Sequence, residues 1–239
     1  MTISYPRFIP GSTGASQRVD TRSIALPGQN AISLPTPKGL YRKVFKRAFD
    51  IAAIVVAAPI IVPLVVGLAI AVSRDGGAAF YTQQRVGSGG RAFRMWKLRS
   101  MVSNADALME QHLQAVPAAR AEWDATQKLK NDPRITPLGR FLRRASLDEL
   151  PQLWNVLVGD MSLVGPRPMM LNQQALYPGM AYYTLRPGIT GYWQTAGRNR
   201  TTFEARAEYD DAYAADLTLL TDARILARTV GVVLKCTGY

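Results

Sequence analysis

Between Ile51 and Val72 the chain runs for 22 residues without one charged or strongly polar side chain. Few environments accept such a segment. As a straight helix it would be about 33 Å long, enough to cross a hydrocarbon core of about 30 Å. An uncharged apolar stretch of this length reads as membrane-embedded rather than as the core helix of a soluble protein. It begins too deep in the chain, behind a long polar stretch, to be a signal peptide.

The flanks say how it enters. Lys38, Arg42, Lys43, Lys46 and Arg47 precede it, and Arg74, Arg85, Arg91, Arg94, Lys97 and Arg99 follow it, opposed only by Asp75. Basic flanks prefer the cytoplasmic side. Here both do, and a single crossing satisfies only one. Pro59 and Pro63 lie near the middle, and each removes a backbone donor and crowds the preceding turn. A re-entrant helix–break–helix, with both ends on one surface, is therefore the expected arrangement. A kinked but spanning helix is the alternative, since membrane helices tolerate proline.

Composition narrows the function. The 239 residues carry 29 Lys+Arg against 17 Asp+Glu, a formal charge of +12, so an anionic partner is expected: nucleic acid, anionic lipid or a phosphorylated substrate. One cysteine, Cys236, excludes a disulfide framework and a multi-cysteine metal site. One histidine, His112, excludes His-rich metal sites and leaves a Ser-His-Asp triad a single candidate. No P-loop, G-x-G-x-x-G or H-E-x-x-H pattern is present.

The expected fold is α+β, mainly helical, in three parts. Residues 1–37, rich in Ser, Thr, Pro and Gly, read as a mobile polar tail. Residues 38–75 are the basic-flanked membrane segment, and residues 76–239 a globular domain. Phe80–Val86 and Arg91–Arg99 read as strands joined by a turn at Gly87-Ser88-Gly89-Gly90. Helical pieces follow over Met101–Lys130, broken near Pro117, and over Pro137–Asp160. Pro166–Gly197 reads as loop-rich. Leu219, Ala223, Leu226, Val230 and Val233 recur at helical spacing with Arg224 and Arg228 on the flank, an amphipathic helix that suits core packing and a membrane surface equally. Asp210-Asp211 reads as a solvated helix face.

The block from Leu138 to Pro168, LGRFLRRASLDELPQLWNVLVGDMSLVGPRP, holds the chemistry. Arg140, Arg143 and Arg144 precede the adjacent carboxylates Asp148 and Glu149, and Arg167 stands between two prolines. Ser146 with Glu149 has capping-box spacing, and Pro151 suits a first helical turn. Capping and surface pairing would account for these residues. The sharper reading is chemical: a helix N-terminus and nearby guanidinium groups favour an ionised carboxylate, a nucleophile ready at neutral pH. Cations beside it would neutralise a phosphate under attack. Next to a membrane segment, this points to phosphoryl chemistry on a membrane-bound substrate.

SLDELPQLWNVLVGDMSLVGPRP resembles the core motif of the bacterial sugar transferases, the monotopic phosphoglycosyltransferases. Gln83–Met101, Asp132–Arg144 and Arg186–Asn199 fit the same family, so the resemblance covers about residues 40–239. It implies transfer of a hexose-1-phosphate from a UDP-sugar to undecaprenyl phosphate with release of UMP, the first membrane step of exopolysaccharide assembly. It implies Asp148 as nucleophile, forming a covalent phosphosugar intermediate, and Glu149 with Asp148 as Mg²⁺ ligands. Lys97, Arg99, Arg143, Arg144 and Arg167 become the substrate- and phosphate-binding set. The membrane segment becomes a re-entrant helix in the bacterial inner membrane with the catalytic domain on the cytoplasmic face. The expected partners are a UDP-hexose, undecaprenyl phosphate and the inner membrane, without nucleic acid; a homodimer is the one assembly entertained. There are departures. The helix break, often Ser-Pro, is Ala58-Pro59 here, and the usual Lys-Phe-Arg-Ser-Met reads Lys-Leu-Arg-Ser-Met. Arg186–Asn199 is most like members that start exopolysaccharides with galactose or glucose. A membrane-anchored nucleic-acid binder and a non-catalytic scaffold of a glycan assembly complex are the competing readings, and the second has no use for the carboxylate–arginine block.

Overall fold

The apolar run folds as one 28-residue helix, α1 (Lys46–Ser73), entered through a single wide turn at Tyr41–Phe45. The structure is a computed structural model, and it describes residues 23–24, 32–33, 40–126, 129–196 and 202–234. Most of the expected 1–37 tail, the 197–199 stretch and Cys236 lie outside the described residues. The expected break is absent: α1 is assigned as helix through both Pro59 and Pro63. Each proline costs one backbone hydrogen bond, so only the carbonyls of Val55 and Pro59 lose their partners. Those two positions are four apart and share a face, which softens the helix there while the remaining bonds hold it.

Both ends of α1 are tied to the same globular body. At the start, Arg47 donates to the Val156 and Leu157 carbonyls. Asp50, 1% exposed, accepts from Ser162 Oγ at 2.8 Å and from the Leu163 amide at 3.1 Å. At the far end, Arg99 spends all five of its N–H donors there, on Asp75 and on the carbonyls of Val72, Ala78 and Met101. Between these anchors Val55, Val56, Ile60, Val62 and Val66 are exposed. An apolar surface of this kind belongs against lipid rather than water.

The body is mostly helical with short sheets. β1 (Phe80–Val86) and β2 (Ala92–Leu98) form the expected antiparallel hairpin, turned by Gly89 and Gly90 at φ 71° and 75°, where a side chain would be strained. Helices α2 (Ala105–Ala115) and α3 (Pro117–Thr126) pack together through Met109, Leu113 and Ala119. Then come α4 (Pro137–Arg144), a 3₁₀ turn at Leu147–Glu149 and α5 (Gln152–Val158). β3 (Ser162–Val164) pairs in parallel with β4 (Gly188–Thr190). α6 (Ala181–Thr184) lies between them in sequence, and α7 (Tyr192–Ala196), α8 (Arg206–Ala215) and α9 (Leu219–Leu234) complete the order.

The main core joins Phe93 and Met95 of β2 to Val156, Met161, Val164, Leu185, Tyr213 and Ile225, with Ile54 reaching in from α1. Each such side chain contributes about 1.5–3 kcal/mol when fully buried. The stripe that the spacing marks on α9 lies mostly outward, as its surface alternative has it, with Leu226 packed against the core. Asp222 and Ile225 are buried, whereas Leu219, Leu220 and Val230 are 51–59% exposed. One polar residue decides this rotation. Asp222 accepts 2.7 Å hydrogen bonds from Lys46, Tyr41 and Tyr213, which dock α9 on the foot of α1. On α5, Trp154, Leu157 and Val158 are exposed on one face beside the same foot.

Candidate active site

The site grows out of the join between α4 and α5. Thr136 caps α4 by accepting from the Gly139 amide at 2.9 Å, with Pro137 in the first turn. After Arg144 the chain passes through Ser146 in the left-handed region, φ 57°, rare for a residue with a side chain. The expected capping box does not form: Ser146 makes no side-chain cap. Its φ reverses the chain instead, so that Glu149 meets β2 rather than the helix start.

β2 supplies the partner. Its inner face runs Phe93, Met95, Lys97, following the two-residue period of a strand. The first two are core, and Lys97 comes where the core ends. Lys97 Nζ lies 2.8 Å from Glu149 Oε1 and 3.8 Å from Asp148 Oδ2. Asn155, 1% exposed, fixes the spacing of helix and strand: its Oδ1 accepts from the Trp96 amide at 3.0 Å and its Nδ2 donates to the Arg94 carbonyl at 2.7 Å.

The two acids are tuned in opposite directions. Burial opposes ionisation of Glu149, but Lys97, Arg167 and Arg85 overcome it and hold its pKa down at about 2. For Asp148 burial wins: its pKa is raised despite Lys97 and Arg143, and the negative charge of Glu149 adds to the rise. This corrects the expectation that guanidinium groups and a helix N-terminus would favour ionised Asp148. The cations were foreseen; the depth of burial was not.

The arginines divide. Arg143 stands beside the dyad, its Nε donating to Ser100 Oγ at 2.8 Å and its charge reaching Asp148. Arg167 joins Arg85, Lys97, Glu149 and Gln152 around a small cavity. Arg99 is fully engaged at the end of α1 and anchors that helix, with no donor left for phosphate. Arg144 is exposed and makes no hydrogen bond or ion pair among the described residues. Arg85 and Gln152 had not been singled out as site residues. Arg85 does lie in the Gln83–Met101 stretch, as an inward position of a strand, and that was the available signal. It is fixed by the loop after Arg167: Arg85 Nη1 donates to the Pro168 carbonyl at 3.3 Å, and the Val86 amide to the Met169 carbonyl at 3.0 Å. Tyr182 closes this junction, accepting from the Met169 amide and donating to the Val86 carbonyl.

Asp210, read as solvated, is buried and accepts from Tyr177 at 2.7 Å. Burial raises its pKa to about 7. Asp211 keeps the solvent-facing role. A wider groove at the turn end of the hairpin, among Arg42, Arg91 and Arg186, lies about 14 Å along β2 from Lys97 and contains neither dyad acid.

Among the described residues no three acids or histidines gather as a metal cage. The dyad nevertheless fits Mg²⁺, which keeps water and takes one or two carboxylates together with substrate phosphates. Only one Glu149 oxygen is held by Lys97.

Comparison with known proteins gives the family of the chain. The family model described as bacterial sugar transferase matches residues 41–236. A "UDP-galactose-lipid carrier transferase" of Erwinia amylovora is 48% identical over 82% of the chain, which spans 42% of that protein. The same figures hold for an "Undecaprenyl-phosphate galactose phosphotransferase" of Salmonella typhimurium. The chain thus covers less than half the length of these two relatives. "Exopolysaccharide production protein ExoY" of Rhizobium meliloti is 39% identical over 99% of the chain and 96% of its own length. With the family match running from the foot of α1 past the end of α9, through the dyad and its lysine, the chain belongs to the bacterial sugar transferase family.

Proposed function

We propose that the protein transfers a hexose-1-phosphate, galactose or glucose, from a UDP-sugar to undecaprenyl phosphate, through a covalent intermediate on Asp148. The observation that carries this reading is a buried aspartate next to a glutamate that is matched to Lys97 and lines a cavity with Arg85 and Arg167. A carboxylate shielded from water is a stronger nucleophile than a solvated one, and the cations supply the charge balance that attack on phosphorus needs.

In the first step an Asp148 carboxylate oxygen bonds to the β-phosphorus of the donor. The bond from that phosphorus to the bridging oxygen breaks, and UMP leaves with the electron pair. In the second step an oxygen of the lipid phosphate attacks the same phosphorus. The bond to Asp148 breaks, which restores the carboxylate and leaves a lipid diphosphate sugar. Arg143 and Arg167 hold phosphate oxygens through both steps, and Lys97 keeps Glu149 from repelling the incoming anion. Asp148 and Glu149 are the residues that would hold Mg²⁺, which when bound adds neutralisation of phosphate charge.

The anchor suits a lipid acceptor. A straight helix of 28 residues is about 42 Å long. Both of its ends are bonded to one globular body and its middle is softened at Pro59 and Pro63, which favours a segment that bends there and keeps both ends on the cytoplasmic face of the inner membrane. Exposed Trp154, Leu157 and Val158 on α5, directly after the dyad, support placement of the site at the lipid boundary. A scaffold role leaves the opposed tuning of the two acids without a use.

The test is to treat purified protein with UDP-galactose or UDP-glucose, assay UMP release with and without undecaprenyl phosphate, and weigh the intact protein. A hexose-phosphate adduct on wild type, absent in Asp148→Asn, is the expected result. No adduct and no UMP with any UDP-hexose would overturn the reading.

A further inference from the structure

Arg206, the first residue of α8, lies in none of the motifs that identify the family here. Its guanidinium carbon stands 4.3 Å from the ring centre of Trp193 and 4.8 Å from that of Phe203. Arg167 shares the same Trp193 ring at 5.7 Å. The Nε of Arg206 is buried without a hydrogen-bond partner, and Arg206 makes no ion pair among the described residues. The Nε of Arg85 is buried and unpartnered in the same way. Its other nitrogens hold Gln83 and the carbonyl of Pro168, next to Arg167.

Three guanidinium groups thus gather around one tryptophan and one loop, and the nearby acids are committed elsewhere. Glu149 pairs with Lys97, and Asp210 accepts from Tyr177. Arg85 and Arg206 are both pushed below the usual arginine pKa, first by burial and then by the charge of Arg167. Like charges held together with unmet donors are costly unless an anion completes them. Planar guanidinium groups suit phosphate, which accepts paired N–H bonds. Arg206 neighbours Arg167 and Arg85 but does not line the cavity beside the dyad. It is therefore placed for the phosphate next to the one under attack.

We propose that Arg206 and Arg167 at Trp193, with Arg85 bonded to the loop that follows Arg167, bind the phosphate of the departing nucleoside monophosphate. The inference rests on the reaction proposed above and adds which residues receive the leaving group. Arg206 then acts in formation of the intermediate and takes no part in its transfer to lipid.

The experiment separates the two half-reactions, with UMP as the binding probe. In Arg206→Gln, kcat/KM for the UDP-sugar falls about ten- to a hundredfold and UMP binding by calorimetry weakens by a similar factor, the range of a charge-assisted hydrogen bond. Transfer from preformed adduct to undecaprenyl phosphate stays within about twofold of wild type. Arg206→Lys recovers part of the donor effect. If Arg206→Gln folds poorly, Arg206→Lys carries the test with the same two readouts, through a smaller fall in the donor step and in UMP affinity. An unchanged UMP affinity, or an equal fall in both half-reactions, overturns the inference while leaving the covalent reaction intact. Absence of adduct and of UMP binding in wild type overturns both.

Discussion

Lys97 Nζ stands 2.8 Å from Glu149 Oε1, joining the last inward position of β2 to the second acid of the dyad. This pair separates the roles of two neighbouring carboxylates. The strand lysine neutralises the glutamate, and Asp148, 3.8 Å from the same ammonium, is left without a close partner of its own. Each variant below tests one link between this arrangement and the fold around it.

Asp148→Asn is expected to abolish transfer and to raise Tm by a few degrees at neutral pH. Burial raises the Asp148 pKa, so the folded state prefers its protonated form. Its contribution to stability is full below the ordinary aspartate range and declines as pH rises through the folded pKa. Asparagine removes that charge. Activity of wild type should fall, as pH is lowered, at a higher pH than an ordinary aspartate would give, while Glu149, held at about 2, stays ionised. Thermal melts and a pH–rate profile check both. A lower Tm for the variant would contradict the burial account.

Lys97→Met leaves two adjacent acids without their cation. Donor turnover should drop by at least a hundredfold and stability by about 1–3 kcal/mol, as for other unsatisfied buried charges. Lys97→Met with Glu149→Gln should recover much of the stability and none of the activity. Urea denaturation of the single and double variants measures the coupling.

Asp222→Asn strands the Lys46 ammonium, which is only 7% exposed, at the foot of α1. The expected loss is about 3–5 kcal/mol, the cost of removing one partner of a buried pair. Replacing both, Lys46→Met with Asp222→Leu, should restore much of it. If the single variant melts like wild type, the docking of α9 on α1 does not depend on this charge.

Asp210, with a pKa raised to about 7, makes stability fall as pH rises from about 4 to 7, because the folded state keeps a proton that the unfolded chain releases. The slope is at most about 1.4 kcal/mol per pH unit for one proton. Asp210→Asn should flatten that stretch of the stability profile. An unchanged slope would place the titration elsewhere.

Gly139→Ala directs a methyl group into the Ser100 carbonyl, well inside van der Waals contact. Ser100 holds Arg143, and its carbonyl accepts from the Thr136 amide at 3.2 Å. The variant should lose about 3 kcal/mol or more and misplace Arg143. A circular dichroism melt together with donor kinetics reports both effects.

The sequence alone marked the long apolar helix and the hairpin, because length and two-residue alternation are properties of neighbouring residues, and it set Asp148 and Glu149 next to each other among arginines; the grouping of Lys97, Arg143 and Arg167 with them was what the family resemblance implied. It could not tell that Arg99 serves the end of α1, that Asp210 is buried, or that α9 turns on Asp222. Each of these depends on a partner far away in the chain: Arg99 with Asp75, Asp210 with Tyr177, and Asp222 with Lys46. Tertiary structure also set the sign of the Asp148 shift. The spacing of charges is written in the chain, but how far water is excluded from them depends on everything packed around the turn, and here exclusion outweighed attraction.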